Sequence, residues 1–119
     1  MAVQEQISQL IDRLLRLTSE GKVDWSRTVD KNSFLAAVAK FTVTISADEP
    51  TANYPDYRLQ IADRSGRTIE DILEQYQPRT GDTADAYLKM EKLFELARRR
   101  ASHVEEALSE MLSSLEQIR

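Results

Sequence analysis

The stretch Asp82–Ile118, DTADAYLKMEKLFELARRRASHVEEALSEMLSSLEQI, decides how the rest of this chain is arranged. It contains neither glycine nor proline, and its apolar or small residues recur at alternating steps of three and four. They are Tyr87, Met90, Phe94, Ala97, Ala101, Val104, Leu108, Met111, Leu115 and Ile118. This spacing is typical of a helix that packs against other helices along its whole length. The sequence therefore predicts one long helix over residues 82–118.

The length of that helix predicts a partner. At the rise of an α-helix it would be roughly 55 Å long, whereas a compact domain of this size is only about 35 Å across. Part of the apolar seam would therefore extend beyond the fold. We expect self-association through the C-terminal part of the seam, most simply as a two-fold homodimer. The residues predicted to form this interface are Val104, Leu108, Met111, Leu115 and Ile118.

The remainder of the chain predicts a small α+β domain. Residues 3–20 repeat the helical spacing and end at Gly21, which is suited to a helix C-terminus. Residues 33–72 contain alternating segments that predict three or four antiparallel strands, with a first hairpin turn at Ala39-Lys40. The segment 67–72 is open to a strand or a partly helical interpretation. A linker over residues 74–81 precedes the long helix, which we expect to pack antiparallel on the first helix.

Composition excludes several classes of protein. The chain has 119 residues, a common size for a single domain, and a net charge of −4, which gives no overall attraction to nucleic acid or anionic membranes. It contains no cysteine, so thiolate metal sites and cysteine nucleophiles are excluded. Neither a signal-peptide pattern nor an apolar run long enough to span a membrane is present, so we expect a cytoplasmic protein.

Three features are candidates for chemistry or binding. The run Arg98-Arg99-Arg100 predicts either a salt-bridged helix face or contact with phosphates, with Arg27, Lys31 and Arg67 as possible helpers. Trp25, the only tryptophan, is either a core anchor or an exposed partner contact. His103 lies three residues before Glu106, but neither a metal-ligand pattern nor a nucleophile motif accompanies it. We therefore expect no cofactor, no metal and no enzymatic activity.

Several phrases resemble a group of small, uncharacterised bacterial and phage-associated proteins. The phrase LLRLTSEGKVDWSRT (Leu14–Thr28) contains the T-x-x-G-K-x-x-W pattern of that group, GRTIEDI (Gly66–Ile72) is similar to its return strand, and LFELARRRASHVEEALSEML (Leu93–Leu112) contains its L-[YF]-x-x-A-R-R-x-A pattern. This chain departs from the group at Ala39-Lys40, where the group has glycine. The resemblance implies the α+β fold and no particular activity.

The sequence thus predicts a non-enzymatic protein-interaction module that self-associates through its terminal helices. An unidentified protein partner is a further expectation. The alternative is a small regulatory or nucleic-acid-associated factor that uses the run Arg98–Arg100. Its acidic net charge makes nucleic acid the less favoured ligand.

Overall fold

A computed structural model describes residues 3–76 and 82–118 of the chain, and these form an α+β fold. The elements are α1 (Val3–Ser19), β1 (Trp25–Arg27), β2 (Ser33–Val38), β3 (Phe41–Asp48), β4 (Asp56–Ala62), β5 (Thr68–Glu74), α2 (Asp82–Ala101) and α3 (Val104–Glu116). The predicted class, with its antiparallel sheet, is therefore confirmed. No helix within the described ranges combines the length and apolar character needed to cross a membrane.

The five strands form a meander in which each strand pairs antiparallel with the next. Alternation of apolar and polar residues decides which face is covered. In β3, Val43, Ile45 and Ala47 are buried beneath the helices, while Thr42 and Thr44 lie on the opposite face. The paired strands continue the buried row through residues in register with Ile45, which are Phe34 and Leu59. One face of the sheet therefore carries the core, as an antiparallel sheet covered on one side requires.

Helix α2 supplies most of the opposing side of the core. Met90, Leu93 and Ala97 are fully buried between the sheet and α1. Phe94 packs against Phe34 with 5.6 Å between ring centroids, in the tilted geometry that aromatic pairs prefer. The N-terminal part of the predicted seam is thus a core face of α2.

The predicted antiparallel packing of the first and last helices is wrong, because α1 and α2 run parallel. Asp12 pairs with Lys89 at 2.9 Å, and farther along both helices Arg100 donates to the Thr18 carbonyl oxygen at 3.2 Å. Each connection in the meander reverses the chain, so an odd number of strands gives flanking helices the same direction. The sequence interpretation omitted the three-residue strand β1, and the correct count of five strands makes the helices parallel.

The predicted continuous helix over 82–118 is also wrong, because it is interrupted at Ser102 and His103. His103 has φ 53° and ψ 41°, in the left-handed region. The interruption directly follows Ala101, and among the seam residues whose side chains the structure describes, Ala101 is the last that is buried. Neither glycine nor proline marks the position, and the seam spacing continues across it, so the apolar pattern could not reveal the change of direction.

The first hairpin turn and the segment after Gly66 settle two further predictions. The first hairpin does turn at Ala39-Lys40, where Ala39 has φ 55°. The segment 67–72, which allowed two interpretations, belongs to strand β5 from Thr68 onward and contains no helix. Of the predicted linker, Glu74 belongs to β5, and residues 77–81 lie outside the described part of the chain.

Candidate interaction surfaces

Helix α3 carries an apolar stripe that the described part of the chain leaves uncovered. We define the α3 stripe as Leu108, Met111, Leu112, Leu115 and Ile118, the last of which lies two residues beyond the helix end; their exposed fractions run from 53% to 69%. Among the described elements α3 contacts only α2. The stripe contains four of the five residues predicted to mediate self-association and adds Leu112. The side chain of the fifth, Val104, lies outside the described part of the chain.

The dimensions of the molecule show how far α3 extends. The Cα radius of gyration is 16.1 Å, and the principal extents are 59 × 37 × 26 Å. A compact domain of this length has a radius of gyration of roughly 13.5 Å. The excess is explained by a helix that leaves the body of the fold instead of packing on it. Part of the apolar seam therefore extends beyond the fold, as the sequence predicted. This part is α3, and the chain changes direction at Ser102 and His103 before α3 begins.

The structure places Trp25 in the core. Its exposed fraction is 4%, and its indole Nε1 donates to the Thr18 hydroxyl oxygen at 3.0 Å. Thr18 is itself fully buried in the last turn of α1. Of the two interpretations of Trp25, the structure has the core anchor, and this side chain is not accessible as a partner contact.

The arginine run is divided among three environments. Arg98 pairs with Glu95 at 2.9 Å, and Arg99 is exposed. Arg100 donates to the carbonyl oxygens of Thr18 at 3.2 Å and Ser19 at 3.1 Å, so its guanidinium closes the C-terminus of α1. A cation at this position satisfies orphan carbonyl groups and complements the helix dipole. The run is therefore partly structural and does not form one flat basic patch.

Part of the run nevertheless lines a basic cavity of about 370 Å³ beside the α2–α3 junction. Arg98, Arg27 and Lys31 line it together, and Asp30 adds one carboxylate to the same wall. Two of the three helper residues named from the sequence thus join the run. The third, Arg67, lies in the β4–β5 hairpin, where it pairs with Asp63 at 3.4 Å.

His103 lies at the surface, and its role in the structure is conformational. Its Nδ1 lies 3.4 Å from a carboxylate oxygen of Glu106, and both side chains are more than two-thirds exposed. Within residues 3–76 and 82–118, no group of three histidine, cysteine or carboxylate residues is placed to hold a metal ion. His103 contributes most clearly as the left-handed residue at the junction.

A groove that the sequence analysis did not identify lies between α1, β5 and the start of α2. It has a volume of about 610 Å³, and Ile7, Ile11 and Ile72 line it. Its described acidic lining residues are Glu5, Asp71, Glu74 and Asp85, and the one cation among its described lining residues is Lys89, which pairs with Asp12 and Asp85. Burial raises the pKa of the Glu74 carboxyl above its usual value. The helical period of α1 predicted the apolar face of that helix. Only the strand register of β5 shows which of the β5 side chains lie on the covered side of the sheet.

Comparison with models of known protein families, with curated proteins and with solved structures finds no match to this chain. The interaction surfaces are therefore interpreted from their own geometry and charge.

Proposed function

We propose that this protein is a non-enzymatic interaction module that self-associates through α3. The observation that carries the proposal is the α3 stripe, which exposes four large apolar side chains on the helix and a fifth just beyond its end. Among the described elements, this helix contacts only α2. Single exposed apolar residues are ordinary, whereas a contiguous apolar stripe marks an interaction surface.

The length of α3 supports the need for a partner. It has 13 residues, and isolated helices shorter than about 12–15 residues are marginal in water. Full burial of a leucine-sized side chain contributes about 1.5–3 kcal/mol, so covering the exposed half of each would contribute on the order of 1 kcal/mol. Five such contributions from each of two copies are comparable to the association cost of about 4–15 kcal/mol. The expected dimer is therefore one that dissociates on dilution.

The arrangement of charge on α3 favours a second copy as the partner. Glu106 and Glu110 lie on the side of the helix away from the stripe. One flank is formed by Ala107 and Ser114, which are small and uncharged, so a second α3 can approach closely there. Glu116 lies on the other flank. Two copies can thus bury their stripes against each other without bringing Glu106 or Glu110 into the interface, where like charges would oppose association.

The test is the solution mass of the full chain across a dilution series, measured by light scattering. We expect the wild type to reach twice the mass of one chain and to dissociate at low concentration. Leu108→Asp together with Leu115→Asp should give a folded monomer, because both side chains are already exposed in a single chain. The fold of that variant is checked by circular dichroism and by its cooperative melting transition.

The matched control is Ser109→Asp together with Ser113→Asp. It adds the same charge to the same helix, on the side away from the stripe. This control should remain dimeric with an unchanged dissociation curve. A wild type that stays monomeric at high concentration, or a Leu108/Leu115 variant that remains dimeric, would refute the α3 interface.

The second candidate function is that of a small nucleic-acid-associated factor. The observation that favours it is the cavity that Arg98, Arg27 and Lys31 line together. Such binding should weaken steeply with salt, because it would depend on contacts to phosphates. Electrophoretic mobility assays with DNA and RNA at low salt test it, with Arg27→Ala/Lys31→Ala as the variant. Mobility unchanged by the protein at low salt would remove this candidate.

A further inference from the structure

The outer edge of strand β5 is free of any partner strand among the described residues. The sheet ends with β5, which pairs only with β4. The strand has seven residues, so its edge is about 23 Å long. The Asp71 amide donates to its neighbour's carboxylate, Glu70 Oε1, at 3.3 Å. An edge of this length presents main-chain donors and acceptors that an added strand can use.

The acidic groove described above adjoins this edge and supplies side-chain pockets. Ile72 points to the covered face of β5, toward Ile7 and Ile11 of α1. Ile11 is buried, whereas Ile7 and Ile72 are half-buried and remain accessible. A groove between an edge strand and a helix is a recurring arrangement for binding an extended peptide, in which the edge binds main chain and the pockets select alternate side chains.

The charge of the edge decides which segment would fit. Strand β5 carries Glu70, Asp71 and Glu74, and Glu5 and Asp85 add two carboxylates from the helices. Two cations of the described residues pair with neighbouring carboxylates: Arg58 pairs with Asp71 at 2.7 Å, and Lys89 pairs with Asp12 and Asp85. The edge therefore keeps an excess of negative charge.

This excess argues against a second copy at the same edge. Pairing two β5 strands would bring acidic strands together, and like charges on adjacent strands are destabilising. A basic segment would instead gain favourable contacts to the carboxylates and lay the alkyl stems of its cations against Ile7 and Ile72.

We propose that β5 and α1 form a docking groove for an extended basic segment of another protein, which adds to the sheet as a sixth strand with lysine or arginine alternating with apolar residues. The main chain of the segment pairs with the β5 edge. Alternate side chains of the segment face the groove, so its cations meet Glu5 and Glu74 there. Its apolar side chains point the other way and lie beside Ile69 and Leu73, which are exposed on the opposite face of β5. This surface is separate from the α3 stripe and does not depend on self-association.

The test uses a fluorescein-labelled ten-residue peptide of alternating lysine and valine, with binding to the full-length protein followed by fluorescence anisotropy at low and moderate salt. We expect saturable binding that weakens as salt increases. An alternating glutamate–valine peptide should not bind. A lysine–valine peptide with proline at alternate valine positions should bind at least about tenfold more weakly, since proline removes main-chain donors and disrupts strand pairing.

Two charge-reversal variants locate the site. Glu5→Lys/Glu74→Lys should weaken binding of the lysine–valine peptide at least about tenfold, because the cations would then face like charge. The control, Asp24→Lys/Asp48→Lys, makes the same change in net charge at exposed positions outside the groove and should leave affinity within about twofold. Ile7→Ala should weaken binding a few-fold through the lost apolar contact.

Three results would overturn the proposal. They are absence of binding at low salt, equal loss of affinity in both charge-reversal variants, and undiminished binding of the proline-containing peptide. The first would mean that the carboxylates of β5 serve only to keep the sheet edge unpaired. Repeating the titration with the Leu108→Asp/Leu115→Asp variant separates the two surfaces, since its affinity for the peptide should be that of the wild type.

Discussion

Helices α2 and α3 share one sequence pattern but lie in opposite environments. Along α2 the seam residues Met90 and Ala97 are fully buried against the sheet and α1. Along α3 the same three-and-four spacing produces a stripe that is more than half exposed. The pattern therefore indicates which side chains of each helix can be buried, and the fold decides which surface covers them. In α2 the cover belongs to the same chain, and in α3 we propose that it belongs to a second copy.

The largest expected effect is a difference in stability between substitutions in the two helices. Leu93→Ala in α2 should lower the free energy of unfolding by about 2–5 kcal/mol, because it leaves a cavity at a fully buried position. Leu115→Ala in α3 should change it by no more than about 0.5 kcal/mol in the monomer, because that side chain already faces solvent. Urea denaturation measures both values, at a protein concentration low enough for any dimer to be dissociated. Equal losses would show that α3 packs on the body of the fold in solution.

The second effect concerns the anchor at the end of α2. Arg100→Ala removes two hydrogen bonds to the α1 carbonyl oxygens and should lower the free energy of unfolding by about 1–2 kcal/mol. Arg99→Ala alters an adjacent exposed cation and should change stability by less than about 0.5 kcal/mol. The two variants are compared by urea denaturation under identical conditions. If their stabilities were indistinguishable, the arginine run would have no anchoring role.

These two helices also show how much of the fold could be predicted. The apolar period identified α1 and the core face of α2, and alternation identified the central strands, because both patterns record burial directly. The direction of packing depended on strand β1, which has only three residues and is too short to show a period. The break at His103 depended on a single backbone dihedral, which the side-chain pattern does not encode.

The interaction surfaces divide in the same way. The α3 stripe was predicted from spacing and length, since an apolar seam longer than the fold needs cover. The groove beside β5 could not be predicted, because it arises where the edge of the sheet faces α1, and four strands separate these two elements in the sequence. Ile72 appeared in the sequence only as part of an ambiguous segment, and its position on the covered face follows from its pairing opposite Leu59.

The smallest expected effect tests the junction that separates the two environments. His103 holds a left-handed conformation, with φ 53°, and such a conformation costs a non-glycine residue roughly 1–2 kcal/mol. His103→Gly removes most of this cost but increases the entropy of the unfolded chain. We therefore expect a net gain in the free energy of unfolding of about 0.5–1 kcal/mol.

The sign of the His103→Gly effect decides between a bent and a continuous helix. If residues 82–118 formed one straight helix in solution, glycine at this position would instead destabilise it, by about 0.3–0.5 kcal/mol, since histidine is itself a weak helix former, and would reduce its helical circular dichroism signal. Ser102→Gly is the control, because it introduces the same flexibility at a neighbouring residue without a positive φ, and it should bring no gain. A stabilising His103→Gly beside a neutral or destabilising Ser102→Gly would place the bend at His103, which sets the direction in which α3 presents its stripe.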